Sequence, residues 1–218
     1  MNDPSLSARL ETLLLPHVER PMRYVGGELN CVIKDPDTIH LHGVFCFPDI
    51  YDIGMSHHGL QILYHIVNRN PHWALSRAFH PWHDAEELMR RHALPLWSLE
   101  YRRPVAEADW LGFSIQYELQ YSGVVNMLDL LGIPVRVSER RSGQWPLVCA
   151  GGPCMSNPEP LAAFVDVMAI GDGEQTVVSL CRVLEDARTE GWSRERTFDV
   201  LSETPGLYVP SRYTTTMV

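Results

Sequence analysis

The sequence predicts an α/β fold: an open, mostly parallel sheet of about five strands, helices on both faces, and an N-terminal arm. Two observations carry this reading. Short apolar runs alternate along the chain with segments of helical periodicity, the pattern of a parallel sheet with crossover helices. Four apolar runs also open directly into glycine-, proline- and polar-rich loops: FPDIYDIGMSHHG (Phe47–Gly59), SIQYE (Ser114–Glu118), AGGPCMSNPEP (Ala150–Pro160) and IGDGE (Ile170–Glu174). In such sheets ligands bind beyond the carboxyl ends of the strands. The four loops therefore predict one composite crevice.

Leu10, Leu13, Leu14 and Leu15 make 5–15 a short amphipathic helix, capped by Ser5 or Ser7 and stopped at Pro16. Residues 20–37 turn at Gly26-Gly27 and read as a hairpin or an extended arm. IHLHGVFCF (39–47) is the first strand, ended by Pro48. Leu60, Leu63, Tyr64 and Val67 place a helix over 58–68. A weak strand follows at 75–79, then an exposed helix at 84–91 with Asp84 as its cap and Arg90-Arg91 at its end. Residues 96–99 read as an edge strand. WLGFSI (110–115) is a buried strand, 118–131 a helix ended by Gly132, 133–137 another strand, and 140–146 a polar turn. LVCA (147–150) and FVDVMAI (164–170) are buried strands. Helices at 173–187 and 194–202 and an extended tail, GLYVPSRY, complete the chain.

The 218 residues suit one α/β domain with an appendage, and 45% hydrophobic content supplies a core. A net charge of −9, from 18 Lys+Arg and 27 Asp+Glu, gives no nucleic-acid footprint. The short basic pairs, Arg140-Arg141 among them, read as solvated turns and helix ends. No apolar run approaches the ~20 residues of a membrane helix, the N-terminus has no signal-peptide pattern, and five scattered cysteines suit a reducing compartment. The chain is expected to be cytoplasmic and not to meet a membrane.

Within the loops, Gly54, Gly59 and the helix start near His57 can present backbone amides to a ligand. Gly151-Gly152-Pro153 permits close backbone approach, and the SNPEP that follows is stiff. Asp172 and Glu174 complement a helix dipole or bond a ligand. No G-x-G-x-x-G, P-loop or G-x-S-x-G motif is present. The ten histidines include His40 and His42 on one strand face, yet no zinc-site spacing occurs. His57 and His58 lie in the first crevice loop.

RYVGGELN, FPDIYDIGMSHHGLQILYHIVN, PLWSLEYRRP, GFSIQYELQYSGVVNMLDLLGIP, AGGPCMSNPEPLA and IGDGE, in this order, resemble the amino-terminal region of cobalamin-binding-type radical S-adenosylmethionine proteins. The resemblance runs from Leu10 to Tyr213. It implies a Rossmann-like cobalamin-binding-type module followed by a radical domain. Cobalamin modules commonly carry D-x-H-x-x-G, then S-x-L and Gly-Gly. Here Ser114-Ile-Gln116 matches the second in part and Gly151-Gly152 matches the third. Counting back from Gly59, however, Gly54 and Ser56 stand at the aspartate and histidine places. The resemblance thus implies cobalamin held without a protein histidine on cobalt. The C-x-x-x-C-x-x-C triplet of a radical domain is absent. Three such thiolates hold three irons of a cluster and leave the fourth for S-adenosylmethionine. The iron–sulfur cluster and S-adenosylmethionine are therefore expected only in a downstream domain, of the same longer polypeptide or of a separate chain, and the chain ends about where that domain would begin.

The division that follows is 1–38 as helix and arm, 39–190 as the Rossmann-like module, and 191–218 as a helix and linker. The expected cofactor-binding residues are Tyr51, Gly54, Ser56, His57, Ser114, Gln116, Gly151, Gly152, Asp172 and Glu174, with no catalytic residue and no metal ligand. Two other readings stand beside this one. One is a non-catalytic interaction module that has lost the corrinoid. The other is a self-sufficient α/β enzyme using His57 or His58 with Asp172 or Glu174.

Overall fold

The computed structural model describes residues 5–141 and 145–214. Its centre is a six-stranded sheet of order β2-β1-β3-β4-β5-β6. The strands are β1 (Leu41–Phe47), β2 (Trp73–Phe79), β3 (Trp110–Ser114), β4 (Leu147–Gly151), β5 (Val167–Ala169) and β6 (Leu207–Tyr208). The first five run parallel, and β6 pairs antiparallel with β5 through Met168↔Tyr208 and Ala169↔Leu207. The fold is the expected α/β, Rossmann-like architecture.

The helices are α1 (Leu6–Leu13), α2 (Tyr51–Gly54), α3 (His58–Asn68), α4 (His83–His92), α5 (Tyr121–Leu130), α6 (Gly173–Glu190) and α7 (Arg194–Glu203). Side chains alternate across each strand, so the sheet feeds two apolar layers. Val44, Cys46, Leu111 and Phe113 pack with residues of α1, α4 and α5. Phe45, Phe47, Trp110 and Cys149 pack with residues of α3, α6 and α7. Leu10 of α1 and Leu14 just after it are buried in the first layer, so α1 belongs to the core packing. Residues 20–37 form an arm of short 3₁₀ turns and no hairpin.

Three strand expectations are corrected. Residues 133–137 form no strand: Pro134 has no N–H to give a ladder, and the buried Arg140 guanidinium takes the Pro134 and Val135 carbonyls instead. Residues 96–99 make one bridge, Trp97 with Pro104. The extended tail is in part a strand, β6. By contrast β2 is longer than expected and buried throughout, because Ser76 and Arg77 find partners inside. Ser76 Oγ lies 2.8 Å from His42 Nε2, and Arg77 Nε donates to Glu100 Oε1 at 2.7 Å. The centre of the polar turn, residues 142–144, lies outside the described residues.

The outer edge of β2 is closed by side chains. Asn68 accepts from the Leu75 N–H and donates to the Leu75 carbonyl, both at 3.0 Å. Glu100 Oε2 accepts from the Arg77 N–H, and the Leu99 N–H donates to the Arg77 carbonyl. The Arg77 guanidinium also lies 4.2 Å over the Tyr64 ring. No helix among the described residues is long and apolar enough to cross a membrane.

Candidate functional site

Because β1 is flanked by β2 and β3, the chain reverses its direction of travel across the sheet there, the usual place for a ligand crevice. A cavity of about 190 Å³ opens at this end, between the sheet and the helices α3 and α6. In register, Phe45, Gly112 and Cys149 form one row across β1, β3 and β4. Gly112 has no side chain, and the Phe45 and Trp110 rings close over it edge to face, their centroids 5.8 Å apart. A Cβ at Gly112 would stand 2.7 Å from the Phe45 ring. These rings and Cys149 make the floor. Leu63 of α3 and Val177 and Leu180 of α6 make apolar walls.

Loops after β1, β3, β4 and β5 make the mouth. Gly152 has φ +103°, and a Cβ there would lie 2.5 Å from the Ile115 carbonyl oxygen. The close approach ties two loops together, with the Ile115 N–H donating to the Gly151 carbonyl at 2.9 Å. His57 caps α3: its Nδ1 accepts from the Leu60 N–H at 3.1 Å. With that lone pair used, the neutral ring carries its hydrogen on Nε2. The Gln116 N–H donates to Gln120 Oε1, and Gln116 Nε2 donates to Ser114 Oγ at 2.9 Å. Ser114 still has its own hydroxyl hydrogen, and Gln116 its carbonyl oxygen, to offer a ligand. Deep in the cavity, burial first and the Asp166 charge second push the Cys149 thiol well above its ordinary range. It stays protonated and is no nucleophile.

Five expected site residues line this cavity: His57, Ser114, Gln116, Gly151 and Gly152. The other five lie off its wall. Tyr51 turns toward β2 and meets Phe79 edge to face. Gly54 is buried against Phe79 and Phe47. The Ser56 hydroxyl donates back to the Asp52 carbonyl. Asp172 and Glu174 are exposed at the start of α6, where the Asp172 carbonyl accepts from Thr176 Oγ1. His58 is exposed. The floor residues Gly112 and Cys149 and the α6 wall were missed. A glycine inside the strand WLGFS was the available signal, since it marks close approach or an open space. Among the described residues, no three His, Cys, Asp or Glu stand together to hold a metal ion.

The family model described as radical SAM proteins, N-terminal, matches residues 59–210. The chain belongs to this radical S-adenosylmethionine N-terminal family. The match begins at the first turn of α3 and runs to the end of β6, so it takes in most of the cavity wall. Neither a curated protein nor a solved structure matches the chain.

Proposed function

We propose that this radical S-adenosylmethionine N-terminal module holds a corrinoid, with no protein histidine on its cobalt, and is not catalytic by itself. The observation that carries the reading is the cavity. At about 190 Å³ it has no room for a corrin ring, but it suits the planar base that a cobalamin carries on its nucleotide arm. Glycine and proline at the mouth let a flat macrocycle lie against backbone. The Ser114 hydroxyl provides one donor for the free ring nitrogen of the base, which accepts only. His57 keeps a hydrogen on Nε2, which is the wrong state for a cobalt ligand. When bound, such a cofactor supplies group transfer at cobalt.

The five cysteines carry no triplet spacing, and Cys46, Cys149, Cys154 and Cys181 are buried. We therefore assign the cluster and S-adenosylmethionine to another domain, in a longer polypeptide or a separate chain. Exposed Ile53, Leu119 and Ile170 sit in the connections that follow β1, β3 and β5, a rim suited to such a domain. The same rim favours the second reading, an interaction module that keeps the fold and has lost the corrinoid.

Titration with hydroxocobalamin and with cobinamide, which lacks the nucleotide arm, tests the proposal. Hydroxocobalamin is expected to bind at least tenfold more tightly. Spin resonance of the reduced cobalt form is expected to show no nitrogen coupling. Equal affinity for cobinamide refutes the role of the cavity, and coupling that changes on ¹⁵N-histidine labelling refutes the histidine-free mode. No binding of either compound favours the interaction module.

A further inference from the structure

A second site stands at the opposite end of the sheet. A groove of about 390 Å³ runs between the 136–141 segment and the 208–214 tail, and it shares Arg141 and Asp166 with an adjoining recess of about 130 Å³. Most of the charges nearby are spent. The Arg140 guanidinium, wholly buried, serves the Pro134, Val135 and Phe164 carbonyls. Arg194 bonds the Trp145 carbonyl and Asp166 Oδ2, and Arg212 pairs with Glu195 and Asp199.

Three charged groups in the groove and one oxygen of a fourth remain. Among the described residues, Arg136 and Arg141 form no ion pair, and Arg136 lies 5.7 Å over the Phe164 ring. Glu159 uses one oxygen to accept from the Tyr208 hydroxyl at 2.5 Å and is otherwise exposed. Asp166, its side chain 1% exposed, spends Oδ2 on the Val148 N–H at 2.9 Å and on the Arg194 and Arg140 guanidiniums at 3.1 and 3.4 Å, while its buried Oδ1 has no donor. Two cations without an ion pair thus line one groove with Glu159 and the donorless Oδ1 of Asp166. A buried carboxylate oxygen without a donor is costly, and a guanidinium fork is built to take a carboxylate. Tyr213 adds an exposed ring 4.9 Å from that of Tyr208.

We infer that this groove binds a small zwitterion of the amino-acid type, its carboxylate on Arg136 and Arg141 and its ammonium on the Glu159 and Asp166 side. The site is separate from the corrinoid cavity and stands or falls independently of it. The test is titration of the ¹⁵N-labelled chain with L-lysine, L-glutamate and L-phenylalanine, each also as its N-acetyl and its carboxamide form. At least one free amino acid is expected to shift the amides of residues 136–141 and 211–214 saturably. Both capped forms are expected to bind at least tenfold more weakly, because each removes one charge. Arg136→Ala and Arg141→Ala are expected to weaken binding tenfold while leaving the urea midpoint in place. The inference is overturned if none of the three amino acids gives saturable shifts. It is equally overturned if the N-acetyl form binds as well as the free one, a plain anion patch, or if the double arginine variant binds like the parent.

Discussion

Ala169→Leu separates the cavity's two roles, a defect in packing and a seat for a ligand. Ala169 ends β5 and lines the cavity, with its Cβ 3.6 Å from where a Gly151 Cβ would stand. Leucine adds three carbons facing empty, mostly apolar space. At about 0.8 kcal/mol per buried carbon the gain is roughly 2.4 kcal/mol. Fixing the leucine rotamer takes back about 0.5–1 kcal/mol. The net is stabilisation by about 1.5–2 kcal/mol, or a Tm rise of about 3–8 °C for a chain of this size. Urea unfolding followed by circular dichroism is expected to show a higher midpoint with an unchanged slope. Hydroxocobalamin affinity is expected to fall at least tenfold, about 1.4 kcal/mol. A lower midpoint would refute the packing argument. A higher midpoint with full affinity would show that the ligand does not enter the cavity.

Three further outcomes are expected. Glu100→Ala removes the closest partner of the buried Arg77 guanidinium, leaving it Glu28 at 3.9 Å and the Gln61 oxygen, and should cost about 3 kcal/mol, the low end for a broken buried pair, read as a drop in urea midpoint. Gly152→Ala forces a side chain into positive φ and against the Ile115 carbonyl, so a loss of about 1–3 kcal/mol is expected by thermal unfolding. Burial holds the His42 imidazole below its ordinary pKa, against the smaller opposing pull of Asp109. The folded pKa is thus below the unfolded value of ~6.5, so this stability is present above about pH 6.5 and lost as pH falls through that range. The urea midpoint should therefore decline less from pH 7.5 to 5.5 in His42→Asn than in the parent.

The sequence was most legible where periodicity and burial agree. Phe45, Phe47, Leu111 and Phe113 marked their strands, and Leu60, Tyr64 and Val67 marked the inner face of α3. It was least legible where a side chain does the work of a backbone. Arg77 weakened the reading of β2, yet Glu100, 23 residues later, makes it a core residue. Apolar Ile133 and Val135 suggested a strand that Pro134 and Arg140 forbid. At the cavity, Ser114 and Gln116 after β3 and Gly151 and Gly152 after β4 line the mouth directly. After β1, α2 carries Tyr51 and Gly54 onto Phe79 before the chain returns to the cavity at His57. The cavity floor was hidden because an empty space is made by what Gly112 lacks.

The closed edge of β2 has a consequence for the order of events during synthesis. The Leu75 backbone finds Asn68 only seven residues upstream, already outside the ribosome when Leu75 emerges. The Arg77 N–H waits for Glu100, 23 residues downstream. At ~5–20 residues per second that gap lasts about 1–5 s. During it the nascent strand offers a half-open rim to neighbouring chains, and Asn68 is its guard. Replacing Asn68 should therefore lower the soluble yield in cells more than it lowers the stability of the finished protein.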